Sequence, residues 1–200
     1  MATASRSQRF VLWIDAVGGY LVCTGTKVTI GQALPGNPVD VAIQGDVSRR
    51  HVVVSRHGEG YVLEPVQPVR IGGQRIASPV NLTDGDVIEL GGSVRMQFRK
   101  PHALSGSASL QMLSRHRTQP LVDGVLLMAE SCVLGPSATN HVVCRQWEHD
   151  LVLFRRDEQL HCRASKSLEI NGQRGSGVIP LNGNSRIVGE DFSLSVEHLA

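Results

Sequence analysis

The chain has 200 residues, 41% of them hydrophobic, with 21 glycines, 9 prolines and a formal net charge of +2. That length suits one large domain or two of ordinary size, and the apolar share is enough for a packed core. Acids and bases are interspersed without a basic run, which excludes a bulk binder of nucleic acid or of membrane and leaves room only for a small, local anion site.

The predicted elements are short strands. Arg6 and Arg9 precede Phe10-Val11-Leu12-Trp13-Ile14, a strand stopped by Asp15. This apolar run is too short for a signal-peptide core, and no stretch approaches a membrane span, so a cytoplasmic protein is expected. Tyr20-Leu21-Val22-Cys23 and Lys27-Val28-Thr29-Ile30 are the next strands, the latter ended by Gly31. Residues 32–38 form a loop rich in Pro, Gly and Asn, and Asp40-Val41-Ala42-Ile43 is short and apolar. Val52-Val53-Val54 and Tyr61-Val62-Leu63-Glu64 flank the turn His57-Gly58-Glu59-Gly60 and read as a hairpin. Arg70-Ile71-Gly72-Gly73-Gln74-Arg75-Ile76 holds another tight turn, and Asn81-Leu82-Thr83-Asp84-Gly85-Asp86 carries an Asp-Gly loop signal. Val87-Ile88-Glu89-Leu90 and Val94-Arg95-Met96-Gln97-Phe98 close the series. Strands recurring every eight to twelve residues or so predict an all-β sandwich or barrel.

Between the fourth and fifth strands lies Gly45-Asp46-Val47-Ser48-Arg49-Arg50-His51. A hydroxyl, two guanidiniums and an imidazole on a loop feeding a strand can hold an anion, because phosphate needs short donors and positive charge. Read alone, such a heptad is more often just a solvated turn.

Its context adds a family. Strand-Gly31, a loop, Ser48-Arg49-Arg50-His51, a hairpin, Ile71-Gly72-Gly73 and then Leu82-Thr83-Asp84-Gly85-Asp86-Val87-Ile88-Glu89-Leu90-Gly91 together resemble the forkhead-associated (FHA) domain. The resemblance covers roughly residues 10–99 and implies a β-sandwich whose loops at one end bind phosphothreonine peptides. It implies that the Ser48 hydroxyl and backbone meet the phosphate, that Arg49 adds charge with Arg50 as a helper, and that His51 braces the loop from within. Two positions depart from the family. Gln32 stands where an Arg usually contacts the phosphate, and Gly72-Gly73 stands for an Asn-Gly whose Asn usually holds the peptide backbone. A lost charge-assisted hydrogen bond corresponds to about ten- to a hundredfold in affinity. Either the first half binds weakly, or Arg50, Arg70 or Arg75 substitutes.

Residues 100–118 are Ser/Ala/Gly-rich at first and read as a linker, with 110–117 either continuing it or forming a short helix. The second half then repeats the first. Ser131-Cys132-Val133-Leu134-Gly135 echoes the strand before Gly31, and Glu169-Ile170-Asn171-Gly172-Gln173-Arg174 echoes Arg70-Ile71-Gly72-Gly73-Gln74-Arg75. A repeat this long implies tandem duplication. Two FHA-like sandwiches are therefore expected, at residues 8–99 and 119–200. The second resembles the family less. It keeps Asn171-Gly172 as the peptide-holding pair but has Pro136 after Gly135, and Trp147-Glu148-His149-Asp150 replaces the Ser-Arg-x-His core. Trp147 reads either as a ring packed on the sandwich edge or as a protein-contact anchor.

No Gly-x-Ser-x-Gly or Gly-x-x-x-x-Gly-Lys motif occurs, so neither catalysis nor a cofactor is expected. Cys23, Cys132, Cys144 and Cys162 form no Cys-x-x-Cys pair and are spaced poorly for disulfides. His141 with Cys144, and His161 with Cys162, match no closed zinc pattern, and no metal is expected. The function expected is an adaptor that recognises phosphothreonine-containing proteins weakly, through the first unit. The alternative is a phosphate-independent scaffold or dimerisation module, whose partner is a second copy.

Overall fold

The computed structural model describes residues 9–102 and 104–199. Residues 1–8, with Arg6 and the expected domain start, and Ala103 of the expected linker lie outside the described residues, as does Ala200. The described residues form 23 strands and no helix, an all-β fold as expected.

The first unit contains β3 (Lys27–Gln32), β4 (Val41–Gln44), β5 (Val52–His57), β6 (Gly60–Pro65), β7 (Val69–Ile71), β8 (Gln74–Ile76), β9 (Val80–Leu82), β10 (Val87–Leu90) and β11 (Val94–Arg99). The second repeats this series as β15 (Ser131–Gly135), β16 (Val142–Val143), β17 (Leu151–Arg156), β18 (Gln159–Ala164), β19 (Leu168–Ile170), β20 (Gln173–Gly175), β21 (Val178–Leu181), β22 (Ser185–Val188) and β23 (Ser193–His198). Two hairpins remain. One is β1 (Arg9–Ile14) with β2 (Gly18–Cys23). The other is β12 (Ala108–Met112) with β14 (Gly124–Leu127), and between its strands lies β13 (Arg117–Gln119).

Each hairpin completes the other unit. One twelve-stranded sheet runs β20-β19-β22-β23-β1-β2-β14-β12-β11-β10-β7-β8. The N-terminal hairpin thus pairs with β23 of the second unit, while β12 and β14 extend the first unit from β11. At the centre β2 and β14 run parallel, with Tyr20 opposite Gly124 and Cys23 opposite Leu127. A side chain on Gly124 would meet the Tyr20 ring at 3.0 Å, so glycine permits the close approach. The smaller sheets are β13-β4-β3-β5-β6-β9 and β16-β15-β17-β18-β21, and each packs into a different core on alternate sides of the shared strands β1, β2 and β14.

The cores show this arrangement directly. Strands alternate sides, so Val11, Leu21, Cys23, Val125 and Leu127 join the first core. Phe10, Leu12, Ile14, Val22, Leu126 and Met128 join the second. Volumes explain which hairpin goes where. Leu110 sits opposite the buried Phe98, and two residues along the same face comes Ala108. Leu12 sits opposite Val196, and two residues along comes Phe10. The first core joins a large ring on β11 with a small residue on its neighbour. The second reverses the sizes, as close packing requires.

The stretch expected as a linker, 100–118, therefore contains a buried strand and the start of a second hairpin strand's connection. No described residue of 110–117 is helical. The Ser and Ala content that suggests flexibility is instead what a crowded junction needs. The Ser107 hydroxyl donates to the Ser131 carbonyl at 2.5 Å and accepts from the Ala129 amide at 2.9 Å. The Tyr61 hydroxyl donates to the Gly106 carbonyl at 2.7 Å and lies 3.1 Å from that of Leu127. Further along, β13 adds to the edge of the first unit's small sheet beside β4.

Candidate functional site

The loop from Gly45 to His51 joins β4 to β5 and is held rigidly. Its apolar residue, Val47, is buried in the first core. The His51 ring, 3% exposed, accepts the Ser48 amide on Nδ1 at 3.1 Å and faces the Pro68 carbonyl with Nε2 at 3.1 Å. Those partners assign the ring proton to Nε2. His51 also anchors through its backbone, its amide donating to Ile30 and its carbonyl accepting from Val66 and Gln67. The ring expected to brace the loop contacts it at the Ser48 amide. The Ser48 amide, expected to meet a ligand, is instead turned inward to the imidazole. Only the Ser48 hydroxyl is left open, and it makes no hydrogen bond to a described residue.

Two glycines allow the loop to sit so low. A Cβ on Gly31 would lie 1.9 Å from the Arg49 carbonyl oxygen, and one on Gly91 would lie 1.8 Å from that of Asp46. Gly91 also has φ +59°, a conformation that L side chains rarely adopt. Asn37, from the Pro- and Gly-rich loop, donates to the carbonyls of Gln32 and Arg49 at 2.8 Å each and ties the two loops together. The composition of that loop marked a turn but gave no sign of this tie, because its partners lie five and twelve residues away.

Ser48 and His51 open onto a cavity of about 530 Å³. Arg70 and Arg75, from the β7–β8 hairpin, line it, with Glu89 and the Gly91-Gly92 turn. Of the three arginines weighed as substitutes for Gln32, the structure brings these two to the cavity. Arg49 and Arg50 are exposed and do not line it. Gln32 is occupied structurally, its amide nitrogen 3.4 Å from the Gly45 carbonyl. Gly72 and Gly73 form the β7–β8 turn, with φ +56° and +83°, and do not line the cavity.

The β16–β17 loop of the second unit, which follows its strands as the loop from Gly45 to His51 follows those of the first, has different chemistry. Asp150 Oδ1 accepts from Asn140 Nδ2 at 2.8 Å, and both atoms occupy the space above Gly135. Glu148, His149 and Asp150 line a cavity of about 590 Å³ there with Pro136 and Arg163. Carboxylates in that position repel phosphate. Asn171, expected to hold peptide, accepts the Arg186 amide on Oδ1 at 2.8 Å and has φ +50°, so its side chain stabilises its own turn. Gly172 completes that turn at φ +84°. Trp147 is 5% exposed and stacks on Phe192 with centroids 4.2 Å apart. It is a core ring and not an exposed anchor, because the strands around it leave a hydrophobic slot that only tertiary contact reveals.

All four cysteines are free and buried. Burial pushes the thiols of Cys23, Cys132 and Cys144 up to about 12 and that of Cys162 up to about 11. Among the described residues, no group of three or more His, Cys, Asp and Glu side chains is placed to hold a metal ion. No helix among them is long and apolar enough to cross a membrane.

Comparison with known proteins bears on the first unit. The family model of the FHA domain matches residues 28–91. A comparison with curated proteins found no match. Among solved structures, the chain is similar to an FHA domain studied for phosphothreonine-dependent interactions, at 24% identity over 42% of this chain and 88% of that one, with a TM-score of 0.32. It is similar to Mycobacterium tuberculosis EmbR in complex with a low-affinity phosphopeptide, at 30% identity over 45% of this chain and 24% of that one, with a TM-score of 0.32. A third similar structure is the Rv0020c FHA domain, at 23% identity over 45% of this chain and 91% of that one, with a TM-score of 0.26. The family model by itself places an FHA domain at residues 28–91, the stretch that contributes Ser48, His51, Arg70 and Arg75 to one cavity.

Proposed function

We propose that the first unit recognises phosphothreonine-containing proteins and that the chain acts as an adaptor without catalysis of its own. The observation that carries this reading is the open Ser48 hydroxyl on a loop fixed by His51, at the mouth of a cavity lined by Arg70 and Arg75. A phosphate of charge about −1.5 to −2 is stabilised by a hydroxyl donor and nearby guanidiniums. The loss of the usual Arg at Gln32 keeps the affinity modest, and exposed Arg49 strengthens encounter more than it fixes the bound state. The second unit is not part of this reading, since its β16–β17 loop carries the carboxylates Glu148 and Asp150 in place of the Ser-Arg-x-His core. The adaptor works in the cytoplasm.

The test is a titration of fluorescent phosphothreonine peptides and their unphosphorylated twins against the full chain. The phosphorylated forms bind more tightly, and Ser48→Ala lowers their affinity by about tenfold, the worth of one charge-assisted hydrogen bond. Equal binding of the twins to the unaltered chain sinks the proposal.

A further inference from the structure

The β7–β8 hairpin of the first unit carries two arginines that form no ion pair with any described residue. Arg70 and Arg75 lie directly opposite each other in the strand register. Like charges in that position destabilise a hairpin. The row continues across the sheet, with Glu89 opposite Arg70 and Arg95 opposite Glu89. Three guanidiniums therefore share one carboxylate. Glu89 forms its ion pair with Arg95, at 3.8 Å. Neither Arg70 nor Arg75 makes an ion pair or a side-chain hydrogen bond to a described residue. Both are exposed, and both line the cavity that reaches Ser48.

The second unit serves as an internal control. There the same row reads Arg174, Glu169, Val188 and Ser193. The arginine of β20 is kept, but its cross-strand partner is a glutamate, so the hairpin is neutral. This unit has no Ser-Arg-x-His loop. Unbalanced arginines thus occur in the unit that has the anion loop and are matched in the unit that lacks it.

The geometry points to a second anion subsite at Arg70 and Arg75, which takes an anionic group of the ligand apart from the phosphothreonine phosphate. The inference rests on the phosphothreonine reading. A cavity of about 530 Å³ is larger than one phosphate group fills, and its cationic wall belongs to a different element from the Ser48 loop. The ligand class is a phosphothreonine segment with a nearby acidic side chain or a second phosphate. Both present oxygen acceptors to a pair of guanidinium forks.

Binding of the full chain to four sets of peptides in one neutral background tests this at low ionic strength. The sets carry phosphothreonine alone, phosphothreonine with Glu placed in turn at each flanking position, phosphothreonine with phosphoserine placed likewise, and the Glu set without phosphothreonine. At one or more positions, the extra anion raises affinity about tenfold over phosphothreonine alone. Whichever of Glu and phosphoserine gives the larger gain identifies the natural source. Arg70→Glu, which copies the neutral pairing of Glu169 with Arg174, weakens phosphothreonine alone as well, so the readout is the gain within the variant: the ratio of doubly anionic peptide to phosphothreonine alone falls to less than about threefold. An exposed hairpin position makes this change compatible with folding. No gain from an added anion at any position, or a gain unchanged in Arg70→Glu, overturns the subsite while phosphate-dependent binding stands. Absence of phosphate dependence in every set overturns the phosphothreonine reading and the subsite together.

Discussion

At the scale of single residues, the site depends on one imidazole more than on any group that faces solvent. His51 satisfies the Ser48 amide and the Pro68 carbonyl at once, and it is buried while doing so. Removing the ring leaves a donor and an acceptor without partners, each worth about 1–3 kcal/mol when buried. His51→Ala is expected to lower the stability of the chain by about 2–4 kcal/mol in urea denaturation, and to weaken phosphopeptide binding at least as much as Ser48→Ala does. Ser48→Ala, by contrast, leaves stability within about 0.5 kcal/mol, since its hydroxyl supports no fold contact. If the two variants are equally stable, the bracing account of His51 is wrong.

At the scale of elements, the exchange of hairpins is a consequence of side-chain size. Ala108 lies two residues from the position opposite Phe98, and Phe10 two residues from the position opposite Val196. Were the N-terminal hairpin to close on β11, Phe10 would enter the space that Ala108 now leaves to the rings of Phe98 and Tyr61, whose centroids lie 5.3 Å apart. Ala108→Phe reproduces that crowding within the full chain and is expected to cost about 1–3 kcal/mol. Adding Phe98→Val, which copies the second core, recovers part of the loss. Urea midpoints of the two single variants and the double variant form the cycle. Strict additivity of the two changes means that size does not decide the placement.

At the scale of the whole molecule, one large sheet joins both cores through shared strands. Leu21 and Val22 are neighbours on β2 yet belong to different cores. The buried thiols give this body a pH signature. Their folded values, about 12 for Cys23, Cys132 and Cys144 and about 11 for Cys162, lie above the ordinary 9.0. The folded state therefore holds its thiol protons where the unfolded chain releases them. The resulting stability is fully present below about pH 9 and falls as pH rises toward the folded values, by about 1.4 kcal/mol per pH unit for each thiol. Urea midpoints measured from pH 8 to pH 10.5 should fall, and Cys132→Ala should reduce the slope. A flat profile would contradict the burial of these groups.

Much of this was written in local sequence. Short alternating blocks fixed the strands, because a period of two is a property of neighbouring residues. The spacing of Ser48, His51, the Asp84-Gly85 loop and Gly91 located the braced loop, since its geometry is set by chemistry within a few residues. The repeat from Leu121 to Gly189 was legible for the same reason. What sequence could not decide was which strands pair. Ala108-Ser109-Leu110 is flexible by composition and a buried strand in the fold, because small residues serve both a solvated linker and a crowded junction. Arg70 and Arg75 were two of several candidate cations until β7 and β8 brought them, and not Arg49 or Arg50, to the cavity beside Ser48. Trp147 became a core ring only when Phe192 stacked on it. Local residues determined the elements and the loop. The exchange of hairpins and the charge balance of the site arise from contacts between distant segments, and only the tertiary structure decided them.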